Sequence, residues 1–325
     1  MMLSTTRWLA ISVLLVSGCN QKQAAVGEIK ATSGVFDYSE HYVEPLAIAR
    51  SVGYDSGTTI DHDPSTWNTV SLAGVAGELP LAYESPNKAI ADTNTSQSVP
   101  TNATAADTDY ENIISGTDDR VQVEKTDGHP FRTAGMFSNG CTGTVVAPRI
   151  VLTAGHCVYN ITTDKWYESL RFIAGRNGDA KPFGTVAWSH AIAPKGWTES
   201  HDYNYDYAIV VLDERIGDKV GWLGYGMLDD AALTAASLNL MSYPGDKPAG
   251  TLWLSYCPVK SLTERMVRHS CDTYQGASGG GLYVKAKNDR VLYAIHSHSE
   301  GNENVATRIS DTVYKRVQQV IEQYP

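Results

Sequence analysis

The strongest constraint on the fold is a series of short apolar runs after residue 113, each bounded by glycine, proline or asparagine. Several short strands at modest spacing are typical of an all-β barrel or sandwich. The 18 tyrosines and 28 glycines, against 5 phenylalanines, also favour strands and turns over a helical bundle. The runs are Thr144–Val146, Ile150–Thr153, Leu170–Ala174, Tyr207–Leu212, Leu238–Tyr243, Leu252–Tyr256, Gly281–Val284 and Val291–His296.

A helical period replaces the strand pattern at the C-terminus. One face of a helix carries Val313, Val317, Val320, Ile321 and Tyr324. Ser310 or Asp311 is available as the N-cap of this helix. We therefore expect residues 113–325 to form a β domain of many strands closed by a C-terminal helix.

Residues 1–19 have the pattern of an export signal. Arg7 precedes the apolar run Trp8–Val16, which is too short to cross a bilayer as a helix but suits the core of a secretory signal. Small residues then lead to Cys19, which resembles the bacterial lipobox, where the cysteine is lipidated. With Asn20 next, the pattern is similar to that of outer-membrane lipoproteins. We predict an exported cell-envelope protein, held to the membrane by a lipid on Cys19 or released after processing.

Residues 20–112 form an acidic leader that we expect to be poorly ordered. Residues 20–84 contain some apolar pairs but no long periodic run. They contain 4 Lys or Arg against 13 Asp or Glu, whereas residues 113–325 carry a net charge of −2. Residues 85–109 are small, polar and low in complexity, which is the composition of a linker. We predict a pro-segment with a tether-like linker, removed near Asn112–Ile114; a permanent tether and a passive spacer are the alternatives. The net charge of −10 for the whole chain argues against a general nucleic-acid binder.

Four cysteines remain once Cys19 is set aside: Cys141, Cys157, Cys257 and Cys271. Export implies an oxidising compartment, in which disulfides persist. Four cysteines allow three pairings. Proximity in the chain favours Cys141–Cys157 and Cys257–Cys271, each stabilising by about 3 kcal/mol in the chain-entropy model.

Three segments carry the residue types of nucleophilic catalysis. His156 follows a tight Ala-Gly turn in TAGHC, Asp206 opens the apolar strand DYAIVVL, and Ser278 lies among glycines in GASGG. A serine hydroxyl needs a base to take its proton, and the base needs a buried carboxylate to hold its tautomer. The developing oxyanion needs fixed N–H donors. The three segments offer all these groups, and this chemistry requires no cofactor or metal.

The order of these three motifs resembles that of the chymotrypsin-like serine proteases, over about residues 113–325. The resemblance implies a double six-stranded antiparallel β-barrel with the catalytic residues in the cleft. His156 would be the general base, Asp206 its orienting carboxylate and Ser278 the nucleophile. The backbone N–H groups of Gly276 and Ser278 would form the oxyanion hole.

Within that class the chain is most similar to the bacterial glutamyl endopeptidase-like branch. The segments IISGTDDRV, from Ile113, and CTGTVV, from Cys141, carry the similarity. Ala277 stands where digestive trypsin-like enzymes have an aspartate that pairs with the new N-terminus on activation. We therefore expect that activation switch to be absent.

Two rival assignments exist for these motifs. Asp202 lies four residues before Asp206, but Asp206 immediately precedes the apolar strand. GASGG also fits the G-x-S-x-G elbow of α/β-hydrolases, which need an aspartate and then a histidine after the serine. Only 47 residues follow Ser278, which disfavours that fold.

The substrate pocket has two possible characters. His296 matches the histidine with which glutamyl endopeptidases bind a substrate carboxylate, and Thr273 matches a second residue of that pocket. Asp272 lies six residues before Ser278, at the spacing where trypsin-like enzymes place the aspartate that binds Arg or Lys. We favour a preference for Glu or Asp, with Arg or Lys as the alternative.

The strand after His296 supplies further candidates. Ser297 would lie on the edge strand facing the substrate backbone. Alternation places His296 and His298 on one face, with His298 at the rim. Two histidines alone rarely make a metal site.

These features predict an exported serine endopeptidase precursor that hydrolyses protein or peptide substrates through an acyl-enzyme on Ser278. A catalytically silent binding protein of the same fold is the main alternative, and an esterase is a third.

Overall fold

The computed structural model describes residues 67–71, 113–286 and 289–325; at 67–71, 286 and 289 it describes the backbone alone. The predicted signal, Cys19 and nearly all of the acidic leader lie outside the described residues. No helix among the described residues is long and apolar enough to cross a membrane.

The described chain consists mainly of short strands. In order they are β1 Trp67–Ser71, β2 Val121–Gln122, β3 Ala134–Phe137, β4 Thr142–Val145, β5 Ile150–Thr153, β6 Tyr159–Asn160, β7 Lys165–Trp166, β8 Arg171–Ala174, β9 Val186–Pro194, β10 Ala208–Leu212, β11 Gly224–Tyr225, β12 Ser237–Ser242, β13 Trp253–Leu262, β14 Met266–His269, β15 Gly281–Ala286, β16 Asp289–Glu300 and β17 Glu303–Arg308. The α-helices are α1 Lys195–Thr198, α2 Gly217–Val220, α3 Asp230–Thr234 and α4 Asp311–Gln323.

Two closed antiparallel barrels of six strands contain most of these elements. The first has the order β9-β10-β5-β4-β3-β8 and closes by pairing β8 with β9. The second has the order β16-β15-β12-β13-β14-β17 and closes by pairing β16 with β17. Closure pairs the first and last strands of each ring, which leaves only short edge segments open and is one solution to the edge-pairing problem of β proteins. The expected double six-stranded barrel is confirmed.

All eight predicted apolar runs overlap strands, but four strands of the barrels, β3, β9, β14 and β17, were not predicted. The last two carry polar residues, for example Arg268 in β14 and Glu303 in β17, which pair with each other across the strands. In a closed barrel the polar side chains of one strand can form hydrogen bonds and ion pairs with those of the next strand. Such a strand therefore lacks the apolar pattern by which strands are recognised in a sequence.

The predicted C-terminal helix is present as α4. Ser310 occupies its N-cap position, although the Ser310 side chain makes no capping hydrogen bond. Val313, Val317 and Val320 are buried in an apolar cluster that also contains residues of both barrels, including Leu152 and Leu254. The helix therefore packs against the junction of the two barrels.

One strand of the leader is described. β1 pairs antiparallel with the C-terminal half of β9, from Trp67 opposite Pro194 to Ser71 opposite His190. We had expected no regular element here, because the leader shows no long periodic run. The strand adds a seventh member to the sheet of the first barrel, at the β9 edge that β8 leaves uncovered.

Candidate active site

His156 and Asp206 form the most tightly defined contact of the cleft. Asp206 Oδ2 lies 2.8 Å from His156 Nδ1, and Asp206 Oδ1 accepts the His156 backbone N–H at 2.8 Å. The Asp206 side chain is fully buried, whereas 26% of the His156 side chain is exposed. The carboxylate thus holds both the ring and the backbone of the histidine.

The positions of His156 and Asp206 are set by the 3-10 turns that contain or precede them and by close packing at Gly155. His156 lies in the 3-10 turn Gly155–Cys157, directly after β5. A Cβ on Gly155 would lie 2.9 Å from the Trp197 ring and 3.0 Å from Asp206 Oδ1, so the close approach requires glycine. Asp206 itself follows the 3-10 turn Tyr203–Tyr205 and leads into β10.

The rival aspartate has a different partner. Asp202 is the N-cap of the turn before Asp206, and its Oδ1 accepts the Asn204 N–H at 2.9 Å. The structure therefore brings Asp206, and not Asp202, to His156.

Burial and the histidine act on Asp206 in opposite directions. Burial raises the pKa of the Asp206 carboxyl, but the charge and hydrogen bonds of His156 outweigh it. The pKa of Asp206 therefore lies below its ordinary value, and the group is a carboxylate at neutral pH.

Ser278 lies on a tight loop between β14 and β15 of the second barrel, and this loop contacts β4 of the first barrel. Thr142 of β4 donates its N–H to the Ser278 carbonyl at 2.8 Å and its hydroxyl to the Gly276 carbonyl at 2.7 Å. Gly279 donates to the His296 carbonyl, and His296 donates to the Gly280 carbonyl, both at 2.8 Å. The loop is thus held by β4 on one side and by β16 on the other.

The loop needs glycine at two positions. Gly276 has a φ of +96° and Gly279 one of +82°, which L side chains rarely adopt. A Cβ at Gly276 would lie 2.5 Å from the Tyr243 carbonyl oxygen, and one at Gly279 would lie 2.1 Å from the Thr142 carbonyl oxygen. Among the described residues the Gly276 N–H donates to no backbone carbonyl.

Both favoured disulfides are present. Cys141–Cys157 closes a separation of 16 residues and ties the His156 turn to the start of β4. Cys257–Cys271 closes a separation of 14 residues and ties β13 to the segment that leads to Asp272 and Thr273. Each bridge therefore anchors one side of the cleft.

Asp272 faces the N-terminal end of the domain. Its Oδ1 accepts the Ser115 N–H at 2.7 Å and its Oδ2 accepts the Asp119 N–H at 3.2 Å. The residue is 3% exposed. Both carboxylate oxygens are thus used by backbone donors of residues 115–119.

Thr273 and His296 lie in the buried layer behind the Ser278 loop, and each has a partner that sequence reasoning missed. Thr273 Oγ1 donates to Asn304 Oδ1 at 2.8 Å. His296 Nδ1 lies 3.3 Å from His269 Nε2. Only the short sequence distance from His269 to Cys271 could have drawn attention to His269; nothing in the sequence marks Asn304.

Three histidines in this layer have lowered pKa values. Burial lowers the pKa of His269 to about 3. Burial, followed by the neighbouring His269, His298 and His156, lowers the pKa of His296 well below its usual value. Burial also lowers the pKa of His298, against the charge of Asp206. These three histidines are therefore neutral at pH 7.

The structure corrects the expected rim position of His298. The residue is only 8% exposed, and its ring lies against Tyr203 with the centroids 4.8 Å apart. A bulge between His296 and His298 also interrupts the strict alternation on which that expectation depended. Ser297 is buried between them, with its hydroxyl 2.9 Å from His298 Nδ1 and donating to the Val305 carbonyl at 3.1 Å.

Two groups of potential metal ligands come together in the described residues: Cys141 with His156 and Cys157, and Cys257 with His269 and Cys271. All four cysteines are in disulfides, and a disulfide sulfur is not the thiolate that a metal binds. These groups do not fit a metal ion.

The chain is similar in sequence to several known proteins. The family model described as Trypsin matches residues 120–322. A protein of Bacillus subtilis (strain 168) named extracellular metalloprotease is 34% identical over 215 residues, which are 63% of this chain and 68% of that protein. A glutamyl endopeptidase of Bacillus licheniformis is 32% identical over 212 residues, which are 62% of this chain and 66% of that enzyme. The chain thus spans about two thirds of the length of these relatives.

A solved structure has the same fold. The structure of a Glu endopeptidase in complex with MPD superposes with a TM-score of 0.59 and 24% identity, and covers 64% of this chain and 98% of that one. This likeness shows the fold. The family match over residues 120–322, with the similarity to the glutamyl endopeptidase, shows that the chain belongs to the trypsin family and is a serine endopeptidase.

Proposed function

We propose that Ser278, His156 and Asp206 hydrolyse peptide bonds through an acyl-enzyme. Ser278 Oγ attacks the substrate carbonyl, His156 takes the hydroxyl proton and then gives it to the leaving amine, and a water molecule repeats the sequence to release the product. Asp206 holds the tautomer in which His156 Nδ1 carries a proton. The observation that supports this proposal is the pair of contacts that the Asp206 carboxylate makes with the backbone N–H and the ring of His156, beside the Ser278 loop.

The backbone N–H groups of Gly276 and Ser278 supply the oxyanion hole in this proposal. The positive φ of Gly276 and the Thr142 hydrogen bonds hold the loop rigid before substrate arrives. Preorganised donors cost no rearrangement during the reaction, and losing one typically lowers the rate about 100–1000-fold.

We propose a preference for Glu or Asp before the scissile bond, with Thr273, His296 and Ser297 at the substrate side of the buried layer. Three observations support this preference over Arg or Lys. The Asp272 carboxylate already accepts two backbone N–H groups. The His296 backbone is bonded directly to the Ser278 loop. One relative carries the name glutamyl endopeptidase.

The proposal includes export and maturation. Residues 1–19 direct export with lipidation at Cys19, and residues 20–112 serve as a pro-segment removed near Asn112–Ile114. The extracellular location in the name of one relative supports export. Labelling with a radioactive fatty acid, compared between the wild type and Cys19→Ala, tests the lipid; equal labelling would overturn this part.

A peptide-library cleavage profile tests the activity and the preference together. The protein lacking residues 1–19 is assayed with and without residues 20–112, beside Ser278→Ala. Cleavage after Glu or Asp that is lost in Ser278→Ala is the expected result. Cleavage after Arg or Lys would retain the mechanism but transfer the specificity to Asp272. No cleavage in any form, with no labelling by a serine-directed phosphonate, would favour the silent binding protein.

A further inference from the structure

Asn304 is a fully buried side chain at the centre of the layer behind the Ser278 loop. It lies in β17 and is 0% exposed. Its Oδ1 accepts the hydroxyls of Thr273 at 2.8 Å and Ser299 at 2.6 Å. Its Nδ2 donates to the carbonyls of Cys271 at 2.7 Å and Ile113 at 3.4 Å.

These four contacts use the whole hydrogen-bonding capacity of the amide. An asparagine side chain has two lone pairs on its oxygen and two N–H donors. The Cys271 and Ile113 carbonyls can only accept, so Nδ2 must face them and Oδ1 must face the two hydroxyls. The orientation of Asn304 is therefore fixed by its surroundings.

Asn304 is linked to two of the residues proposed at the substrate side, to Thr273 directly and to His296 through His269. Its side chain holds the Thr273 hydroxyl directly. Its backbone pairs with His269 across β14 and β17, and the His269 ring contacts His296. Cys271, whose carbonyl Asn304 also holds, precedes Asp272 and Thr273 and is tied down by its disulfide.

We propose that Asn304 is a positioning residue that sets the selectivity for acidic substrate side chains by fixing the Thr273 hydroxyl and by placing no charge beside it. This proposal rests on the proposed Glu or Asp preference. Asn304 acts through Thr273 and does not itself touch substrate. A neutral amide is essential to the role because a negative charge at this position would repel an acidic side chain across a buried site.

The test is Asn304→Asp, which keeps the size and shape of the side chain but replaces two donors by an acceptor. The protein is expressed as its full-length precursor and purified in the form that the host releases. The readout is the ratio of kcat/KM for two peptides that differ only in Glu or Gln before the scissile bond. We expect this ratio to fall about tenfold or more at about pH 8, because like charges oppose each other in the layer.

Protonation of the carboxyl group introduced in Asn304→Asp should restore the Glu-to-Gln ratio in the same variant. A buried aspartate has a raised pKa, and its neutral form again offers a donor and an acceptor as asparagine does. The Glu-to-Gln ratio of Asn304→Asp, divided by that of the wild type at the same pH, should therefore recover as the pH falls towards about 5. A change in folding alone would not restore a ratio of two substrates, because both are cleaved by the same folded fraction.

Asn239 offers a matched control. It is also 0% exposed in the second barrel, but its Nδ2 donates to the Tyr283 carbonyl, at 3.4 Å. Asn239→Asp also introduces a buried negative charge, but at a side chain that does not contact Thr273. It should therefore leave the Glu-to-Gln ratio unchanged. If Asn304→Asp cannot be recovered folded, Asn304→Ser is used. It should lower the ratio at every pH, because the shorter serine side chain withdraws the acceptor from the Thr273 hydroxyl without adding a charge.

A double-mutant cycle with Thr273→Val separates the two steps of the inference. If Asn304 acts through Thr273, Asn304→Ser should change the ratio much less in the Thr273→Val background than in the wild type. Additive effects, or an unchanged ratio in both Asn304 variants while the wild type still prefers Glu, would overturn the positioning role. A wild type that does not prefer Glu or Asp would instead refute the proposed preference on which this inference rests.

Discussion

The Thr142 hydroxyl donates to the Gly276 carbonyl at 2.7 Å and accepts the Tyr243 N–H at 3.0 Å. This one side chain joins β4 of the first barrel to the Ser278 loop and to the end of β12, although Thr142 and Gly276 are 134 residues apart in the chain. Since the Thr142 N–H also donates to the Ser278 carbonyl, the geometry of the Ser278 loop depends on contact between the barrels.

Thr142→Val should therefore lower both stability and activity. It keeps the shape of the side chain but leaves the partly buried Gly276 carbonyl and the buried Tyr243 N–H without their partner, which costs about 1–3 kcal/mol. Urea unfolding measures the stability, and kcat on a peptide substrate measures the activity. Thr142→Ser restores the hydroxyl and should recover most of both. Equal loss in the serine variant would show that the methyl group, and not the hydroxyl, is what matters.

Asp206→Asn should lower kcat about 10⁴-fold, because the amide cannot hold the His156 tautomer that the reaction needs. The matched control is Asp202→Asn, four residues earlier, which retains an oxygen to cap the Tyr203–Tyr205 turn. Active-site titration gives the concentration of folded enzyme for each variant. A comparable loss of kcat in Asp202→Asn would contradict the assignment of Asp206.

Features that depend on adjacent residues could be predicted from the sequence, whereas contacts between distant strands could not. The apolar runs, the C-terminal helix and the spacing of the cysteines are properties of adjacent residues, and these predictions are confirmed. Thr142, His269 and Asn304 gain their importance from partners on other strands. A polar residue on a barrel strand has no periodic signature, because its hydrogen bonds run across the sheet, so these side chains could not be identified from the sequence.

Gly279→Ala should destabilise the protein far more than Gly301→Ala. Both glycines have a positive φ, of +82° and +61°, so both alanines carry backbone strain of about 1–2 kcal/mol. A Cβ at Gly279 would overlap the Thr142 carbonyl and the Thr153 hydroxyl, whereas nothing lies within 4 Å of one at Gly301. We expect a difference of about 3 kcal/mol or more in the free energy of unfolding. Urea unfolding in a Ser278→Ala background, which prevents self-cleavage, measures it; similar losses would show that the loop relaxes freely.

Asp272→Asn should reduce stability without changing the residue preferred before the scissile bond. The variant amide keeps one acceptor oxygen but places an NH₂ group towards the N–H of Ser115 or Asp119. Losing this charge-assisted contact costs about 1–3 kcal/mol. Thermal unfolding and a cleavage profile are compared with those of Asp179→Asn, at an exposed position. Loss of cleavage after Arg or Lys on mutation would assign Asp272 to the substrate pocket instead.

The buried His269 should make stability fall in mild acid. Its folded-state pKa of about 3 lies below its unfolded value of about 6.5, so between these pH values the unfolded chain binds one more proton than the folded chain. Stability therefore rises with pH across this window, by up to about 1.4 kcal/mol per pH unit for this group, and the contribution is complete above about pH 6.5.

His269→Gln removes this titration, so the slope of unfolding free energy against pH between about pH 4 and pH 6 should decrease by close to one proton. His201→Gln is the control, because the His201 side chain is 40% exposed and pairs with Asp164 at the surface. Urea unfolding at several pH values, in the Ser278→Ala background, measures both slopes. An unchanged slope in His269→Gln would mean that the folded protein binds the same proton as the unfolded chain, and that the His269–His296 contact carries a positive charge.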